Sequence, residues 1–148
     1  MSHSLSKIYV HLIFSTKDRV PVLRREHFAD IHKYIAGTLT RMDCQTLTVG
    51  GMPDHVHVLF VLGKSCTIAK TVENLKRAAT QYVRTLAPCY RNFTWQEGYG
   101  AFSVSPTRVD AVTRYIHNQE QHHTKITFTE ELKRFFDEYG VKYDERYL

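Results

Sequence analysis

Cysteine is scarce and scattered in this chain. Cys44, Cys66 and Cys89 are odd in number, well separated and form no C-x-x-C, which argues against a disulfide framework and a structural zinc knuckle. No apolar run approaches the roughly 20 residues that a membrane span needs, and the first residues lack the basic segment and apolar core of a secretion signal. Internal repeats, low-complexity tracts and linkers are also missing. The expectation is a soluble protein of a reducing cytoplasm, with residues 1–148 forming one domain. Its 43% hydrophobic and 12% aromatic content suffices for a core. Lys and Arg outnumber Asp and Glu by 20 to 15, for a formal charge of +5, which favours a polyanionic partner without proving one.

Hydrophobic periodicity divides the chain into elements. Ile8, Val10, Leu12 and Phe14 alternate with Tyr9, His11 and Ile13, the pattern of a strand buried on both faces. Between 24 and 42, Phe28, Ile31, Ile35, Leu39 and Met42 recur at helical spacing. A short strand is expected over 45–49. It is joined by a Gly-Gly-Met-Pro-Asp turn to a second strand starting at His55. Thr67 is placed to cap a helix whose apolar stripe is Ile68, Val72, Leu75, Ala79, Tyr82 and Leu86, stopped by Pro88. A strand over 101–104 and a helix over about 105–123, opened by Ser105 and Pro106, follow. Thr127 to Glu130 reads as the capping box of a last helix reaching Gly140. The order predicts an α+β fold: a ferredoxin-like βαββαβ antiparallel sheet with two additional C-terminal helices.

Two segments carry candidate chemistry. His55 and His57 lie two apart in a strand, so both leave the same face of the sheet and can converge on one divalent cation. By itself the pair is a weak signal, and strand-end histidines hydrogen-bonded to neighbours are the more ordinary reading. Tyr115, Gln119 and His122 share a helical face at spacings of four and three. A tyrosine that attacks phosphorus needs a cation to polarise the phosphate, and a glutamine one turn on offers a neutral oxygen to Mg²⁺ or Mn²⁺. Packing of Tyr115 at the rim of the core is the competing reading. His122 is placed for a phosphate contact, and His11 can approach from the adjacent strand. Lys70, Arg77 and Arg84 recur every seven residues, as either a phosphate-contacting or a merely solvated face.

The runs Gly51-Met52-Pro53-Asp54-His55-Val56-His57, Trp95-Gln96-Glu97-Gly98-Tyr99-Gly100-Ala101-Phe102-Ser103-Val104-Ser105 and Tyr115-Ile116-His117-Asn118-Gln119-Glu120-Gln121-His122-His123 resemble, in this order, the small single-tyrosine HUH transposases of the IS-two-hundred type and their REP-associated relatives. So does the ending Tyr139-Gly140-Val141-Lys142-Tyr143-Asp144-Glu145-Arg146-Tyr147-Leu148. The resemblance implies that His55 and His57 bind a divalent metal, with Gln119 as third ligand and Tyr115 as nucleophile. It also implies cleavage and rejoining of single-stranded DNA at insertion-sequence ends through a 5′-phosphotyrosine, recognition of hairpins near those ends, and homodimers with composite sites. A non-cleaving hairpin-binding relative and a nuclease that uses water are the rival readings.

Overall fold

The computed structural model describes residues 3–119, 123 and 125–144. Four strands, β1 (Tyr9–Ser15), β2 (Gln45–Met52), β3 (His55–Val61) and β4 (Gly100–Val104), form one antiparallel sheet in the order β2-β3-β1-β4. With helices α1 (Phe28–Arg41) and α2 (Ile68–Leu86) in the two crossovers, this is the ferredoxin-like arrangement. Helices α3 (Val109–His117) and α4 (Phe128–Glu138) follow β4.

The sheet is buried on both faces by two different sets of helices. Val10, Leu12 and Phe14 of β1 and Val56, Val58 and Phe60 of β3 point to one face. There they pack with Ile31, Ile35 and Leu39 of α1 and Val72, Leu75, Ala79 and Val83 of α2 in the main core. Burying each of the larger side chains is worth roughly 1.5–3 kcal/mol, so this layer carries most of the stability. The opposite face bears His11, Ile13, His55, His57 and Leu59. Ile13 and Phe102 form a smaller cluster there with Phe128 and Leu132 of α4. Strands whose two faces both meet helices read as largely apolar runs, which is why β1 and β3 have no solvent-facing side and the polar residues on their second face, His11, His55 and His57, are buried.

Two details depart from the sequence reading. Strand β2 runs on to Met52, so Gly50 and Gly51 are paired strand residues opposite His57 and Val56, and the turn shrinks to Pro53 and Asp54. Glycine is required there by close approach and not by a turn: a Cβ on Gly50 would lie 2.6 Å from the carbonyl oxygen of Ile116, because α3 rests directly on this strand. The tyrosine helix is also shorter than 105–123. Pro106–Arg108 makes a 3-10 turn, and regular helix ends at His117, where Asn118 leaves helical geometry at φ −96°, ψ 20°. Thr67 and Thr127 cap as expected, accepting from the amides of Lys70 and Glu130, each at 3.2 Å.

Candidate metal and nucleophile site

Pairing of β3 with β1 sets His57 beside Ile13 and His55 beside Ser15, so the two imidazoles rise side by side where the central strand β3 begins. That strand end is closed to solvent. His55 is 1% exposed and His57 is fully buried, covered by residues of α3 and α4.

Each imidazole is oriented by its Nδ1. That of His55 lies 2.6 Å from Asp54 Oδ1, that of His57 lies 2.8 Å from His11 Nε2, and that of His123 lies 2.8 Å from the Ile126 carbonyl oxygen. All three Nε2 atoms turn toward a common centre. His55 Nε2 is 3.0 Å from Gln119 Oε1, His123 Nε2 is 3.0 Å from the same oxygen, and His57 Nε2 is 2.9 Å from Glu131 Oε1. The other Glu131 oxygen accepts the Tyr115 hydroxyl and lies 3.4 Å from Gln119 Nε2. Gln119 and Glu131 are each 1% exposed.

These residues fit a divalent cation. One ligand atom from each of His55, His57, His123 and Glu131 falls within 4.8 Å of the others. An acceptor at the far nitrogen of a ligating histidine fixes the tautomer that leaves the near nitrogen's lone pair free. Asp54, His11 and the Ile126 carbonyl are positioned for that task.

Burial dominates the electrostatics. It lowers His57 to about 4 despite the opposing pull of Glu131, and it lowers His11 to about 3 with help from His57. On Glu131 burial acts the other way, but hydrogen bonds from His123 and His57 outweigh it and hold the carboxyl well below its usual range. The same interaction with Glu131 overcomes burial at His123 and raises its pKa. Burial, and then the negative charge of Glu131, push the Tyr115 hydroxyl well above its ordinary value.

The structure thus brings together Tyr115, His55, His57 and Gln119, and adds His11, which approaches from β1 as expected. It does not bring Lys70, Arg77 and Arg84 to them. These sit on α2, which packs on the other face of the sheet. There Lys70 and Arg77 pair with Glu73 at 3.6 and 2.7 Å, and Arg84 donates to the Phe93 carbonyl oxygen at 2.9 Å. His122 lies outside the described residues; its neighbour His123 is the one seen in the cluster.

Sequence reasoning missed Glu131. The signal for it was an acid on the inward stripe of the last helix, between Phe128 and Leu132, where a solvated charge does not belong.

The Transposase IS200 like family profile matches residues 4–119. A protein of Deinococcus radiodurans R1 described as a transposase superposes with a TM-score of 0.63 at 25% identity, over 80% of this chain and 95% of that one. A REP-associated tyrosine transposase, solved bound to a REP hairpin, superposes with a TM-score of 0.61 at 13% identity, over 85% and 76% of the two chains, and supports the fold. No curated protein matches the sequence. With a family match across most of its length and the fold to go with it, this chain belongs to the IS200-like transposases.

Proposed function

We propose that this IS200-like transposase cuts and rejoins single-stranded DNA at insertion-sequence ends, with Tyr115 as nucleophile and a divalent cation, Mg²⁺ or Mn²⁺, held by His55, His57 and Gln119. One observation carries the reading: the Tyr115 hydroxyl and His57 Nε2 share the Glu131 carboxylate, while Gln119 touches His55, so nucleophile and ligands form a single connected network. When bound, the cation supplies charge neutralisation at the scissile phosphate. The remaining work falls to the protein. Tyr115 is held from behind by α3 and aimed by Glu131, which limits its motion before attack. Its oxygen forms a bond to phosphorus as the bond to the departing 3′-oxygen breaks, leaving a 5′-phosphotyrosine and a 3′-hydroxyl. The phenolic proton leaves by way of its hydrogen bond to Glu131 and is passed on to solvent, and the departing 3′-oxygen takes up a proton from solvent. Reversal by another 3′-hydroxyl rejoins strands without an external energy source.

A strand can approach through the cavity of about 430 Å³ that borders the cluster at Asp54, His123 and Phe128, and a cleft of about 220 Å³ on the other side of Phe128 is lined by Tyr99, Phe136 and Tyr143. Aromatic walls of this kind stack single-stranded bases without regard to sequence. Hairpin recognition is supported by the REP hairpin bound to the structurally similar transposase and by the basic charge of this chain. Lys70, Arg77 and Arg84 on α2 are the proposed backbone contacts, on a surface separate from the cutting site. The homodimer implied by the resemblance would exchange tyrosine helices. In this chain the tyrosine already lies beside its own histidines, with ring centroids of Tyr115 and His57 5.7 Å apart, and action within one polypeptide is the arrangement we favour.

The decisive assay uses labelled single-stranded DNA from the flanks of the gene. A Tyr115→Phe protein should keep hairpin affinity and form no covalent adduct on a denaturing gel, whereas the parent forms one in Mn²⁺. Persistent adduct would remove Tyr115, and no adduct from the parent would leave the hairpin-binding alternative. Mixing Tyr115→Phe with His57→Ala should restore nothing if each chain works alone; recovered adduct would show exchange between subunits.

A further inference from the structure

Helix α4 packs on the sheet through a cluster smaller than the main core: its Phe128 and Leu132 are buried with Ile13 and Phe102, and its Phe135 and Phe136 pack partly buried against them. At the centre of its inward face stands Glu131, 1% exposed, while other acids of the helix, Glu130, Asp137 and Glu138, are solvent-facing. A carboxylate taken out of water is costly unless charged or hydrogen-bonding partners compensate it. Those compensating this one are groups already credited with metal binding: His57 Nε2 at 2.9 Å, His123 Nε2 at 3.4 Å and His55 Nε2 at 3.7 Å. A carboxylate meeting three converging imidazole nitrogens completes a ligand set typical of divalent transition ions.

We propose that Glu131 is itself a ligand of the cation, so that docking of α4 on the sheet and metal binding are one equilibrium. This rests on the site being a metal centre, as the functional reading has it, but not on any reaction there. Two consequences follow from the donor set. An imidazole-rich centre with one carboxylate favours Mn²⁺ over Mg²⁺, which prefers oxygen ligands and gives up its water reluctantly. And because Glu131 Oε1 lies against His57 and His55 while Oε2 lies against His123 and accepts the Tyr115 hydroxyl, α4 positions the nucleophile with respect to the cation.

The test measures Mn²⁺ binding by calorimetry and α4 protection by hydrogen exchange in the full chain. Glu131→Gln, close to isosteric, should weaken Mn²⁺ binding at least tenfold and abolish the Mn²⁺-induced protection of residues 128–138. Glu131→Asp, which keeps the charge, should recover part of the affinity. Glu138→Gln, an exposed acid of the same helix, should behave as the parent, and His55→Ala calibrates loss of a ligand. Far-ultraviolet circular dichroism of each metal-free variant establishes that it is folded before titration. Unchanged or tighter Mn²⁺ binding in Glu131→Gln, or faster exchange of α4 when Mn²⁺ is added to the parent, would overturn the proposal, because Glu131 would then be a plug that metal displaces. Glu131-dependent Mn²⁺ binding in a protein that forms no DNA adduct would sink the transposition reading and leave this one standing.

Discussion

At the scale of single residues, the quality of the site depends on groups that never touch the reacting atoms. Asp54 is the clearest. Its carboxylate lies 2.6 Å from His55 Nδ1 and holds the ring so that Nε2 faces the centre. Partners of this kind typically contribute 10–100-fold to metal affinity, so Asp54→Ala should weaken Mn²⁺ binding by about that factor in a calorimetric titration. Equal affinity would mean that packing against Phe128, stacked on His55 at 4.1 Å, orients the ring unaided. His11 does for His57 what Asp54 does for His55, and burial suits it to the role by keeping it uncharged to about pH 3. The H-x-H pair was legible in the sequence because strand periodicity is local. Glu131 was not, since its partners lie 74 residues away on β3 and 16 away on α3.

At the scale of elements, the placement of Tyr115 is set by the contact of α3 with β2. Gly50 makes that contact possible: a methyl group there would lie 2.6 Å from Ile116 O and 2.9 Å from Ile116 Cγ2, one of them backbone that cannot swing aside. Gly50→Ala should therefore lift the end of α3 and cost about 1–3 kcal/mol, or a fall in Tm of about 2–4 °C for each kcal/mol. The shift moves Tyr115, the residue before Ile116, so covalent adduct should form more slowly while hairpin affinity persists. Thermal melts and adduct time courses check both parts, and an unaltered melt with an unaltered rate would show that α3 is loosely seated. The sequence suggested a turn at these glycines because Gly-Gly usually marks one. Only the packing of a helix against the strand gives them their other use.

At the scale of the whole molecule, the sheet separates two jobs. The α1 and α2 layer holds the main core, and the α3 and α4 layer covers the candidate site, so stability can be probed away from the site. His32 on α1 is partly buried, stacked on Phe28 at 5.6 Å, and burial lowers its pKa to about 4 from an ordinary 6.5. Folding thus favours the neutral ring. Its contribution is fully present above pH 6.5 and is lost as pH falls from there toward 4, at most about 3 kcal/mol in all. Urea midpoints measured at pH 7 and pH 4.5 should converge in His32→Phe relative to the parent, with buried His11 and His57 keeping some pH dependence in both. An identical pH dependence in the two proteins would show that His32 charges without disturbing the fold.

The sequence by itself determined what is written in short-range pattern: the strand and helix order, hence the ferredoxin-like sheet, the caps at Thr67 and Thr127, and the histidine pair. Period two and period 3.6 are set by backbone geometry and need no partner to be read. Tertiary structure alone decided that the imidazoles are buried, that the helix bearing Tyr115 stops at His117, that His123 joins the cluster, and that α4 delivers a carboxylate to it. Those outcomes depend on how two helices settle on one face of a sheet, where distant residues meet through packing and the cost of burying charge, and no local pattern records either.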